Sequence, residues 1–190
     1  MAKVVVFVPG ITPDAGLIER MRELFVQAGY EYLHHNGWQS RGALAHKTLN
    51  QLHDELDAVI GNRERVGMLG KSFGAGVGLT SNNPKIKAMV LWAPAFGIAE
   101  NDNVAFWQNN TLATLTRAAD IELSREYLQN IKVPIRIVHG TVDDKIPVSH
   151  SEKYQRLLPN AELVLMPGAG HSTHAEEVVR LAVEFFEKHL

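Results

Sequence analysis

Short β-branched runs alternate with amphipathic stretches along this chain. Residues 4–8 form an unbroken apolar run, the signature of a strand covered on both faces. Thr12-Pro13-Asp14 then reads as a helix N-cap, a first helical residue and an acidic first turn. Leu17, Met21, Leu24, Phe25 and Ala28 share one face of the helix that follows, and Gly29 stops it. Residues 30–35 carry a weaker strand signal. Ala45, Leu49, Leu52, Leu56 and Val59 recur at helical spacing and predict a second helix, closed by Gly61. Residues 66–69 predict a short buried strand ending at Gly70-Lys71-Ser72-Phe73-Gly74, with a small-residue helix beyond it. Residues 86–92, 133–139 and 162–166 predict further strands. A helix around residues 149–158 separates the last two, and residues 176–189 form a closing amphipathic helix.

Strands alternating with helices predict an α/β fold: a three-layer sandwich, with a mostly parallel sheet of about six strands and helices on both faces. With 190 residues, the chain is one domain's worth of sequence. Segment 95–130 breaks the rhythm, being roughly 35 residues between two strands, too long for a bare loop. It is read as a helical cap or lid whose apolar face comes from Val104, Phe106, Trp107, Leu112 and Leu115.

Composition narrows the classes. Apolar residues are 45% and charged residues 21%, an ordinary globular balance. The formal charge is −2 and the cations are scattered, which argues against a nucleic-acid partner. Cysteine is absent, so there is no disulfide framework and no thiolate nucleophile, and a metal would need His and carboxylates alone. The start, Met1-Ala2-Lys3 before residues 4–8, resembles a signal peptide only superficially, because its apolar run is short and lacks a cleavage site. No segment approaches the ~18 apolar residues of a membrane span. The expected location is cytoplasmic; oligomeric state is not legible.

Gly70-Lys71-Ser72-Phe73-Gly74 has G-x-S-x-G spacing between a strand and a helix, and that context carries the chemistry. A Ser on so sharp a turn presents its hydroxyl at the carboxyl edge of the sheet, and the flanking glycines remove Cβ atoms that would collide with backbone. The following amides, beginning with Phe73, aim at whatever Ser72 attacks. A phosphate-binding loop is excluded, since the required Gly five positions before Gly70 is Arg65. Lys71 is expected to be solvated or salt-bridged. A hydroxyl nucleophile needs a base, and the base an orienting acceptor. Asp143 and Asp144 follow a strand ending in His139-Gly140, and His171 lies on a Gly-rich loop after the last strand. His139 is expected to support its loop, and His174 is a second candidate for the base. Of the nine histidines, none makes a convincing metal-ligand pattern; no metal and no cofactor are expected.

The whole chain resembles a small, minimal member of the α/β-hydrolase superfamily, close to the dienelactone-hydrolase-like and small serine esterase groups. Four features carry the resemblance: Val8-Pro9-Gly10 after the first strand, the elbow at Ser72, His139-Gly140 through Pro147, and Gly170-His171. The resemblance implies a Ser72–His171–Asp143 triad, with Asp143 chosen over Asp144. It also implies an oxyanion hole made by the backbone amides of Phe73 and Ile11, with Thr12 possible. Three departures stand out. The first two strands of larger members have no counterpart, Pro9-Gly10 replaces a common His-Gly, and Ser72 replaces the Cys of dienelactone hydrolases, whose substrate is therefore not carried over.

The expected activity is hydrolysis of a small-molecule carboxylic ester or thioester through an acyl-enzyme, with Thr12, Phe96, Phe106 and Trp107 as substrate contacts. Two alternatives share the same residues: a non-catalytic hydrolase-like binding protein, which would resist fluorophosphonate labelling, and an acyltransferase, which would pass the acyl group to an added alcohol. Fold alone does not choose among them.

Overall fold

A computed structural model describes residues 3–190; Met1 and Ala2, where the leader reading begins, lie outside the described residues. The strands are β1 (Lys3–Val8), β2 (Tyr30–His34), β3 (Val66–Lys71), β4 (Ile86–Trp92), β5 (Gly97–Ala99), β6 (Glu122–Ser124), β7 (Ile135–Gly140) and β8 (Ala161–Met166). The helices are α1 (Ala15–Gln27), α2 (Arg41–Ala45), α3 (Leu49–Ile60), α4 (Phe73–Ser81), α5 (Val104–Asn109), α6 (Arg125–Asn130), α7 (Val148–Leu157) and α8 (Ala175–His189).

Six strands form one sheet in the order β2-β1-β3-β4-β7-β8, every neighbouring pair parallel. Helices α1 and α8 pack one face around Phe7, Phe25, Leu69, Trp92 and Phe186. Helices α3, α4 and α7 cover the other around Val6, Leu52, Met68, Phe73 and Tyr154. This is the predicted three-layer α/β sandwich. Residues 4–8 are all buried, as a central strand of a doubly covered sheet requires. Among the described residues no helix is long and apolar enough to cross a membrane.

Local boundaries differ from the pattern for identifiable reasons. The cap of α1 is Asp14, whose Oδ1 accepts the Leu17 N–H at 2.7 Å, so Thr12 and Pro13 precede the helix. The expected single helix through Ala45 and Leu49 is two helices. Thr48 interrupts it with a capping box, its hydroxyl taking the Gln51 N–H while the Gln51 side chain takes the Thr48 N–H. Strand β7 starts two residues late, after Pro134, which has no N–H to give a ladder.

Segment 95–130 holds the short parallel pair β5 and β6, helices α5 and α6, and two 3₁₀ turns. Val104, Trp107, Leu112 and Leu115 are buried, whereas Phe106 is 50% exposed.

Candidate active site

Ser72 stands where β3 becomes α4, at the carboxyl edge of the sheet. Its N–H donates to Trp92 O at 2.9 Å, and the chain then turns at φ 52°, ψ −116°. A positive φ at a residue with a Cβ stores of order 1–3 kcal/mol of strain. The Ser72 carbonyl helps hold it, accepting the N–H groups of Ala75 at 3.1 Å and Ala95 at 3.2 Å. The flanking glycines are sterically required. A Cβ on Gly70 would stand 2.8 Å from Ala75 Cα, and one on Gly74 would strike Val8 O and stand 2.5 Å from Pro9 O.

That approach seats the Pro9-Gly10-Ile11 turn against the serine. The point where a Gly10 Cβ would lie is 3.6 Å from Ser72 Cβ and 3.9 Å from Lys71 Nζ. Trp38 Nε1 fixes the turn by donating to Gly10 O at 3.1 Å, and Trp38 meets the Phe73 ring edge-on at 5.5 Å. Phe73 is the first residue of α4, a position whose N–H has no acceptor within its own helix.

Two loops at the same edge are stitched together by backbone. Thr141 N–H donates to Met166 O and Val142 N–H to Ala169 O, both at 3.0 Å, and Gly168 N–H donates to the Thr141 hydroxyl at 2.9 Å. Gly140 permits this, since a Cβ there would collide with the Ala169 carbonyl. The stitching brings His171 Nδ1 to 2.8 Å from Asp143 Oδ2. The other carboxylate oxygen accepts Lys145 N–H at 2.8 Å and Ile146 N–H at 2.9 Å. Asp144 instead points to solvent beside Lys145. His174 is exposed and caps α8 in the left-handed region at φ 66°.

Electrostatics follow from these contacts. Burial pushes the Asp143 carboxyl upward, but the Ile146 and Lys145 amides and His171 outweigh it and hold the group below its ordinary value. Burial, then the Lys71 cation, depress His171, with Asp143 opposing them. The net effect favours the neutral form of the His171 imidazole. His139, fully buried, accepts or donates through Nδ1 with Ser151 Oγ at 2.6 Å, while Nε2 reaches Ile146 O at 2.9 Å and Asp143 Oδ2 at 3.2 Å. The Ser72 hydroxyl makes no hydrogen bond among the described residues, His171 included; such contacts often tighten only when substrate arrives.

Lys71 is neither solvated nor salt-bridged, against expectation. It is 7% exposed, its Nζ lies 5.3 Å from the Trp92 ring centre, and burial lowers it to about 8. The signal was present in the strand period, because Lys71 shares the face of Leu69, which is a core face. A cavity of about 370 Å³ opens here, lined by Lys71, Gly10, Thr12, Asp14 and Ser172 among others. Lys71 and Ser172 are the chain neighbours of Ser72 and His171, neither of which lines the cavity itself. A larger cavity of about 580 Å³ sits at the opposite edge, around the starts of β4 and β7.

Of the expected substrate contacts, Thr12 borders the smaller cavity. Phe96, Phe106 and Trp107 do not. Phe96 is fully buried and stacked on Tyr154 at 4.1 Å, and Trp107 donates its indole N–H to Asp120 O at 3.0 Å. Phe106 packs edge-on against Trp107 at 5.0 Å.

Comparison with solved structures decides the architecture. The chain superposes on MGS-MChE2, an α/β-hydrolase enzyme from a metagenome of lagoon sediments of Mar Chica, Morocco. The TM-score is 0.76 over 99% of this chain and 92% of that one, with 21% identity. The chain has the α/β-hydrolase fold. Est1E from Butyrivibrio proteoclasticus, solved with ferulic acid bound, is also similar, with a TM-score of 0.75, 20% identity and coverage of 99% and 89%. The α/β-hydrolase domain-containing protein aho-3 of Caenorhabditis elegans is 32% identical over 125 residues, 63% of this chain but 35% of that protein. No family model matches the chain. The superfamily resemblance therefore stands, while the dienelactone-hydrolase-like subgroup finds no support here.

Proposed function

We propose that this chain is a serine hydrolase that cleaves a small carboxylic ester or thioester in the cytoplasm without a cofactor. Ser72 is the nucleophile, His171 the general base and Asp143 the acceptor that orients it. The observation that carries this reading is the 2.8 Å contact of His171 Nδ1 with a buried Asp143, at the sheet edge where Ser72 sits in a strained turn. Asp143 holds the proton on Nδ1, which leaves Nε2 as the basic nitrogen.

Ser72 Oγ bonds to the carbonyl carbon as its proton passes to His171 Nε2. The carbonyl oxygen, now an anion, is received by the amides of Phe73 and Ile11; removing one such donor typically costs about 10²–10³-fold in rate. The tetrahedral centre collapses, breaking the bond to the alcohol or thiol, which leaves with the His171 proton. Water then gives a proton to His171 and attacks the acyl-enzyme, and Ser72 recovers its proton as the acid departs. Segment 95–130 serves as a lid on the Ile11 side of the site, where Leu112, Ala113 and Leu115 line a small hollow with Ile11. Similarity to an α/β-hydrolase enzyme and to an α/β-hydrolase domain protein supports hydrolysis as the reaction class.

Purified wild type should release p-nitrophenol from p-nitrophenyl esters, and Ser72→Ala should lose at least a thousandfold in kcat. Unchanged turnover in Ser72→Ala would remove the assignment.

A further inference from the structure

Lys71 is a buried cation with no anion in direct contact; Asp143 and Asp14 act on it only from a distance. Its Nζ forms no hydrogen bond and no ion pair among the described residues, although the residue is 93% withdrawn from solvent. A buried charge without a partner is costly, so an unpaired ammonium lining a cavity points to a partner that arrives with a ligand. The cavity's position identifies that ligand, since the site of a Gly10 Cβ is in van der Waals range of both Ser72 Cβ and Lys71 Nζ. A group bound at Lys71 therefore belongs to the same molecule that Ser72 attacks.

We infer that Lys71 recognises a free carboxylate on the substrate, making this a hydrolase of esters or thioesters that carry a second, ionised acid group. The inference rests on the proposed Ser72 hydrolase reading and names its substrate class. The carboxylate docks on Lys71 Nζ, in a cavity that Thr12 and Ser172 also line. Phe7, Leu17 and Ile18 in the same wall face a short carbon chain between the carboxylate and the scissile carbonyl. A singly charged acid fits better than a dianionic phosphate, because one cation serves the cavity and Asp14 shares it. The Asp14 charge is engaged elsewhere, Oδ1 accepting Leu17 N–H at the positive end of α1.

The test uses a matched pair of substrates, the monophenyl ester of adipic acid and the phenyl ester of adipic acid monoamide, which has the same shape without the charge. Phenol release by purified wild type at pH 7 should give kcat/KM at least tenfold higher for the acid. In Lys71→Met, and independently in Lys71→Gln, that ratio should fall to near one; a ratio within one preparation does not depend on how much of it is folded. In the wild type itself, the ratio should decline as pH rises through about 8, where Lys71 loses its proton. The charged groups facing it are Asp14, Asp143 and His171. Equal kcat/KM for the two esters in wild type, or an undiminished ratio in both variants, overturns the carboxylate assignment while leaving the hydrolase reading intact. If neither ester is cleaved and a fluorophosphonate fails to label Ser72, the hydrolase reading itself has failed, and this one with it.

Discussion

His139 Nε2 lies 3.2 Å from the Asp143 oxygen that receives His171 at 2.8 Å. The strand-ending histidine is thus part of the cage that fixes the acid. His139→Leu removes that contact and strands the Ser151 hydroxyl and the Ile146 carbonyl in the interior. Each buried group left unpaired costs about 1–3 kcal/mol. Urea unfolding should register the loss, and at temperatures where the variant remains folded kcat should drop more than KM changes, since Asp143 is loosened and no substrate contact is removed.

The pH dependence of kcat/KM should have its acid limb below 6.5, because burial and Lys71 both depress His171 and the base must be neutral to act. Removing the Lys71 cation takes away the second of those causes. In Lys71→Met the limb therefore moves to higher pH, a shift read directly from pH–rate profiles on a neutral ester. A limb that stays fixed, or moves down, contradicts the coupling.

Stability should fall on mild acidification through His53. Burial lowers its imidazole to about 4, while Nε2 sits 3.0 Å from the Thr80 hydroxyl. A folded value below the unfolded one means that protons favour the unfolded chain. This contribution is therefore complete above about 6.5, is lost as pH falls toward about 4, and is about 3 kcal/mol at most. Urea titrations at pH 7.5 and 5.0 should differ by about 2 kcal/mol from this group, and His53→Gln should shrink that difference.

Gly74→Ala and Gly10→Ala should separate folding from function. At Gly74 the new methyl meets the Val8 and Pro9 carbonyls, backbone that must move, so Tm should fall by several degrees or expression fail. At Gly10 the nearest atoms are 3.6 Å away or more, ordinary contact, so Tm should hold. The methyl there enters the gap between Ser72 and Lys71, and esterase activity should drop.

Much of this was legible in the chain. Continuous apolar runs gave the central strands, because a parallel sheet covered on both sides leaves no polar period to misread. The glycine spacing around Ser72 and the residues after β7 and β8 marked the site, since tight backbone approach leaves glycines behind. Other features were hidden in tertiary structure. The break at Thr48 lay inside an uninterrupted helical spacing, where capping chemistry overrode periodicity. The parallel pair β5 and β6 is only three residues long per strand, too short to show alternation. The hydrogen bonds joining Thr141 and Val142 to Met166 and Ala169 are made by backbone and leave no side-chain trace. The burial of Lys71 could be read from the strand face it shares with Leu69, but its contact with Trp92, twenty-one positions away, arises only through strand pairing.

The reactivity of the Ser72 hydroxyl is the central claim, and covalent labelling measures it without any guess at the substrate. Wild type treated with a fluorophosphonate and digested should carry a single adduct, on the peptide containing Ser72, and His171→Ala should label at least a hundredfold more slowly. An unmodified Ser72, or equal labelling in the two proteins, would contradict the account.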